Sequence, residues 1–196
     1  MDFTESEEQK LIRESVRKLC SAFPDEYWEQ HDREGKFPDE YFNAMAEAGW
    51  LGIAIPEEYG GAGKGLQEAA IILEEVAASG AAMNGATPVH LSIFGMHPVV
   101  KHGSNDMCEK YLPAVAEGKL NVAFGVTEPN AGSDTTSIET FARLQGDHYL
   151  VSGRKVWTTS ARSKNHHMAR FKQFYRSGRR AQLSDRRDID STQYIC

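Results

Sequence analysis

Apolar residues recur at helical spacing through roughly the first 120 positions of this chain, and beyond them they fall into short strand-like runs. Ile12, Val16, Leu19, Cys20 and Phe23 share one helical face, and Thr4 with Glu7 would open that helix as a capping box, giving a rod of about five turns. The charged connector from Pro24 to Lys36 has room for a short helix around Tyr27 and Trp28. Pro38 at a first helical position and Gly49 just past a last one bracket the next helix. An apolar run over residues 50–55 closes at Pro56, and a glycine-rich loop follows to Gly65. Ala69, Ala70, Ile71, Ile72, Leu73, Val76 and Ala77 are apolar around most of a helix, which predicts a buried central element ended by Ser79 and Gly80. Residues 81–102 predict a further buried helix with irregular ends. Ser104 then caps a helix interrupted at Pro113 and finished by one turn before Gly118.

Residues 121–126 are short and apolar and meet Pro129, Asn130 and Gly132 at once, the pattern of a strand ending in a turn. Ser133, Asp134, Thr135, Thr136 and Ser137 follow, a hydroxyl-rich loop suited to an anionic or hydroxylated ligand, although any strand connection uses the same residue types. Residues 141–144 and 148–152 read as a hairpin joined by Gln145, Gly146 and Asp147. After a turn at Gly153, Arg154 and Lys155, Val156, Trp157, Thr158, Thr159 and Ser160 predict a strand with Thr158 and Thr159 on opposite faces. The fold class is therefore α+β, with an all-α domain over 1–120 and an antiparallel β domain beginning at 121.

Charge separates a third stretch. Residues 1–161 carry 13 Lys or Arg against 25 Asp or Glu, whereas residues 162–196 carry 9 against 3. In that basic tail Leu183, Ile189 and Ile195 are the whole complement of Leu, Ile and Val, too few to predict continued strands or to cover an open sheet edge. Its arginines sit in no recognisable nucleic-acid-binding pattern and are diluted by Asp185, Asp188 and Asp190, so nucleic acid is not the expected partner. Cys20, Cys108 and Cys196 show neither pairing nor metal spacing, which favours a reducing compartment, the cytoplasm. The acidic N-terminus does not resemble a leader, and no apolar run approaches the roughly 18 residues of a membrane span.

Two tempting motifs fail on spacing. Gly63-Lys64 is followed by Gly65 where a phosphate-binding loop needs Ser or Thr. His90, His97 and His102 lack the i, i+4 pair of a helical zinc site and are expected in the core or at helix ends.

The string Val126-Thr127-Glu128-Pro129-Asn130-Ala131-Gly132-Ser133-Asp134 resembles the signature of the acyl-CoA dehydrogenase family. Ile55-Pro56-Glu57-Glu58-Tyr59-Gly60-Gly61, Lys110-Tyr111-Leu112-Pro113 and Gly153-Arg154-Lys155-Val156-Trp157 resemble family segments in family order, and the likeness covers residues 1–161. It implies a flavoprotein that dehydrogenates an acyl-CoA thioester at its α,β bond with hydride transfer to FAD. Carried over by position, Phe124, Val126 and Thr127 would line the flavin, with Thr127 bonding the pyrimidine edge. Gly132 and Ser133 would approach the pyrophosphate or the acyl-CoA. Trp157 would pack against the ring, Thr158 belongs to the same element, and Thr159 would reach N5. Hydroxyl and N–H donors at those places stabilise charge on the ring without adding a competing base.

The resemblance stops at Arg162. The family's remaining strands and C-terminal helical domain, which supplies the catalytic glutamate, have no counterpart, so no catalytic residue is assigned; Glu128 is expected to be a turn residue. An incomplete β domain implies a truncated or frame-shifted product that binds FAD weakly or not at all and is inactive alone. Electron-transfer flavoprotein and a homo-oligomeric assembly are the partners the family implies. The alternatives are a noncatalytic binding fragment with a basic tail or, among enzymes of this fold, an acyl-CoA oxidase or flavin monooxygenase.

Overall fold

A computed structural model describes residues 4–146, 148–160, 167–171 and 194–195. Seven α-helices precede the first strand: α1 Glu7–Cys20, α2 Asp25–Glu34, α3 Asp39–Glu47, α4 Leu66–Val76, α5 Ala82–Phe94, α6 His97–His102 and α7 Asn105–Ala116. They are followed by β1 Leu120–Phe124, β2 Phe141–Gln145, β3 His148–Ser152, β4 His167–Phe171 and β5 Tyr194–Ile195.

Local chemistry explains most helix ends. In α1 the capping box uses Ser6 and Gln9, one step inside the expected Thr4 and Glu7: Gln9 N–H donates to Ser6 Oγ at 3.2 Å and Ser6 N–H to Gln9 Oε1 at 3.0 Å. The helix stops at Cys20, before Phe23, and Pro24 opens α2 in the charged connector. Pro38 and Gly49 bracket α3 as expected, Gly49 with φ +80°. The end expected at Ser79 and Gly80 is a π turn over Ala77–Ala81 that kinks at Gly80 and runs into α5, so α4 and α5 form one bent unit. The irregular helix expected over 81–102 is two helices, α5 and α6. Pro113 does not interrupt α7: the helix runs on to Ala116 without the hydrogen bond the proline cannot donate, and Glu117 N–H reaches Pro113 O at 3.0 Å.

Two apolar clusters form the core. The first joins α1 to α5 through Ile12, Val16, Trp28, Tyr41, Phe42, Met45, Ile72 and Val76; fully burying a side chain such as Val16 is worth about 1.5–3 kcal/mol. Across the α1–α4 contact, Glu75 accepts from Arg13 Nη1 at 2.6 Å and from Arg17 Nε at 2.9 Å. The second cluster joins α6, α7 and Leu91 of α5 to Leu120 and Val122 of β1. Gly95 permits this docking: a Cβ there would lie 2.7 Å from Val122 Cγ1 and 2.5 Å from Leu91 O. The strand leading to the site is thus fixed on the helical domain.

β2 and β3 form the expected antiparallel hairpin, Gln145 opposite His148. β1 instead pairs in parallel with β4, Leu120 opposite His167, and β4 pairs in parallel with β5. Strand structure therefore returns beyond Arg162, where the sparse apolar pattern gave no sign of it. The remaining tail, residues 161–166, 172–193 and 196, lies outside the described residues, as does Asp147 of the hairpin loop. Within the described residues no helix is long and apolar enough to cross a membrane.

Candidate functional site

β1 ends at Phe124, and residues 125–127 leave it as irregular chain. Phe124 is half-buried against the second cluster, its ring edge-on to Phe94 of α5 at a centroid distance of 4.9 Å. The chain returns alongside: Thr159 forms an antiparallel bridge with Phe124, and Val156 N–H donates to Thr127 O at 2.9 Å. Lys155 Nζ donates to Val126 O at 2.8 Å. Residues 124–127 and 155–159 are thereby joined edge to edge. Gly125 makes the approach possible, since a Cβ there would sit 2.9 Å from Thr158 Oγ1.

The returning segment is not the expected strand. Thr159 makes a single bridge, and Trp157 and Ser160 have φ of +57° and +60°, left-handed values that interrupt extended chain on either side of Thr158 and Thr159. Each costs a residue with a Cβ of order 1–2 kcal/mol, so contacts of the returning segment, Val156 N–H to Thr127 O among them, hold it there against both that strain and the strand preference of its residues. Trp157 is left 88% exposed, Thr159 is exposed, and half-buried Thr158 lies against Gly125. Thr158 and Thr159 thus occupy different environments.

Glu128 is buried beneath this junction. Its carboxylate accepts from Lys155 Nζ at 2.8 Å, from Glu139 N–H at 2.7 Å, from Thr140 N–H at 3.0 Å and from the Thr140 hydroxyl. Burial pushes the carboxyl up, but the Lys155 ammonium, the Thr140 hydroxyl and the two backbone donors outweigh it and hold it at about 2. Such a group is a permanent anion that staples the two ends of the signature loop, consistent with its reading as a turn residue, and it cannot serve as a general base near neutral pH.

The outer part of the loop is organised by Asp134, which accepts from Thr136 N–H at 3.1 Å, from Ser137 Oγ at 2.6 Å and from the Thr136 hydroxyl. Those donors hold the Asp134 carboxyl below its ordinary value. Gly132 and Ser133 are exposed at the loop's tip, with open space around Gly132. No hydrogen bond among the described residues connects them to Trp157 or Thr159. The histidines read as core or helix-end residues are exposed: His97 and His102 are the end residues of α6, and His90 stacks on Phe94 at 5.0 Å.

Sequence reasoning missed Lys155, Thr140 and Phe94 as parts of this site. The usable signal was the lysine and the acid lying in two turns that flank one hairpin.

The family model for the acyl-CoA dehydrogenase N-terminal domain matches residues 6–119, and the model for the middle domain matches residues 123–185. The chain belongs to the acyl-CoA dehydrogenase family. The middle-domain match runs past Arg162 into the basic stretch. Acyl-CoA dehydrogenase FadE12 of Mycobacterium tuberculosis is 36% identical over 155 residues, covering 79% of this chain and 39% of that relative. The structure of a glutaryl-CoA dehydrogenase in complex with glutaryl-CoA superposes with a TM-score of 0.73 at 33% identity, covering 81% of this chain and 40% of that one. An acyl-CoA dehydrogenase complexed with FAD from Bacillus anthracis gives 0.67 at 32% identity, over 80% of this chain and 27% of that one. The chain spans less than half the length of these relatives.

Proposed function

We infer that this chain supplies the flavin-binding edge of an acyl-CoA dehydrogenase, which removes the α and β hydrogens of an acyl-CoA thioester with FAD as cofactor. The observation that carries the reading is the junction of residues 124–127 with residues 155–159. It places an 88% exposed indole, held at φ +57°, beside an exposed threonine at the mouth of a strand anchored in the core. An unpaired aromatic face of that size in a strained conformation fits a flat ring that would cover it. The donor chemistry also fits, being hydroxyl and N–H groups without a competing base. We assign Phe124, Val126, Thr127, Trp157 and Thr159 to the ring, and Gly132 with Ser133 to the pyrophosphate or the acyl-CoA.

When bound, FAD supplies the hydride acceptor. The chain's own residues bind and orient it: Trp157 shields one side from water, and Thr127 and Thr159 fix its edge by hydrogen bonds. Thr158, packed on Gly125, sets the spacing between the two segments. The α-proton needs a base, and Glu128, fully engaged and ionised, is not that group. Electron-transfer flavoprotein is the electron acceptor we propose. The buried free thiols Cys20 and Cys108 support a reducing compartment, the cytoplasm.

Calorimetric titration of the chain with FAD, beside Thr127→Val/Thr159→Val, tests this. We expect weak but saturable uptake that the double variant reduces by about tenfold, the loss of two net hydrogen bonds. No uptake, or equal uptake by both proteins, overturns it.

A further inference from the structure

We propose that Lys155 and Glu128 are a positioning pair for the flavin edge: Lys155 clamps the Val126 carbonyl so that the Thr127 N–H is turned toward the cofactor. This rests on the flavin-site reading above and adds residues that touch no cofactor atom.

A trans peptide holds its carbonyl and its N–H on opposite sides of a planar unit. Lys155 Nζ takes the Val126 oxygen at 2.8 Å, which turns the Thr127 N–H away from Lys155 and out of the buried junction. Among the described residues that N–H donates to no protein group, while Thr127 O is already held by Val156 N–H at 2.9 Å. Of the two peptide units, one therefore closes the junction and the other presents a free donor.

The clamp depends on Glu128. The Lys155 and Glu128 side chains are 8% and 3% exposed, 2.8 Å apart, and Glu128 is itself held by Glu139 N–H and Thr140. An ammonium so buried stays in place only beside its counter-ion, and removing either partner strands the other. Glu128 thus fixes where Lys155 stands, and Lys155 fixes how the Val126–Thr127 peptide is turned. The chain from Thr140 through Glu128 and Lys155 to Thr127 links the hairpin base to the ligand edge.

The test compares the full chain with Lys155→Met, Lys155→Arg and the milder Thr140→Val, by amide hydrogen exchange without FAD and by FAD titration. Lys155→Met should speed exchange of the hydrogen-bonded amides of Val156, Glu139 and Thr140 by at least about tenfold while the amides of α1 to α7 keep wild-type rates, and should weaken FAD binding by about tenfold. Lys155→Arg, which keeps the donor, should recover part of both, and Thr140→Val should give a smaller change in the same amides. Unchanged exchange in Lys155→Met, or a rise shared by the helical amides, overturns the positioning role; so does looser exchange with unaltered FAD affinity. If wild-type chain takes up no FAD, the flavin reading fails by itself, and the exchange pattern still decides whether Lys155 orders the junction.

Discussion

Lys155 Nζ lies 2.8 Å from Glu128 Oε1 and 2.8 Å from Val126 O, so one ammonium joins an acidic turn to the strand end that faces the site. Because the Glu128 carboxyl is held at about 2, well under its ordinary value of 4.5, its contribution to stability has a definite sign. A group whose folded pKa is depressed stabilises the fold fully above its unfolded value and loses that effect as pH falls through the folded one. The loop over residues 128–140 should keep its order down to about pH 4 and loosen between there and about pH 2. NMR of the Thr140 amide across that range checks this, and Glu128→Gln should remove the acid-dependent step.

Glu75 joins α1 to α4 in a comparable way, with its side chain 6% exposed against Arg13 at 21% and Arg17 at 65%. Hydrogen bonds from Arg17 hold its carboxyl low against the opposing pull of burial, with Arg13 adding to the effect. Glu75→Ala leaves Arg13 without its buried partner and should cost about 2–3 kcal/mol in urea unfolding. Arg17→Ala should cost under about 1 kcal/mol, since that side chain is mostly in water. Equal losses in the two variants would show that the exposed arginine matters as much as the buried contact.

Trp157 carries the trade between stability and function most openly. Its φ of +57° suits glycine, and its ring is 88% exposed, so little packing is lost with it. Trp157→Gly should therefore leave thermal stability unchanged or raise it by up to about 1 kcal/mol. FAD affinity should fall at the same time. A fall in stability of about 2 kcal/mol or more would mean that the indole is a packing residue.

Much of this is legible in the sequence. Pro38 and Gly49 bounded α3 because their backbone preferences act locally, and Ser104 capped α7 for the same reason. Thr127 was singled out in the signature string and Trp157 in a later segment that resembles another family element, and the fold brings those two segments side by side. What stayed hidden depends on distant partners. The parallel pairing of β1 with His167–Phe171 follows no local period, and nothing in residues 156–160 announces that Trp157 turns left-handed. Glu128 read as a turn residue, which it is, but its burial on Lys155 and Thr140 required the hairpin to close first. The choice of Ser6 over Thr4 as a cap was a near-tie between two local signals.

The central claim is that the exposed face of Trp157 is a flavin platform, and tryptophan fluorescence during FAD titration tests it most directly. Trp28 is buried in the helical core and Trp50 packs against it, so both serve as internal references. Wild-type chain should lose the emission of one exposed indole along a saturable curve, and Trp157→Leu should bind FAD about tenfold or more weakly with that component absent. A saturable curve with the same midpoint in both proteins would place the flavin elsewhere and contradict the account.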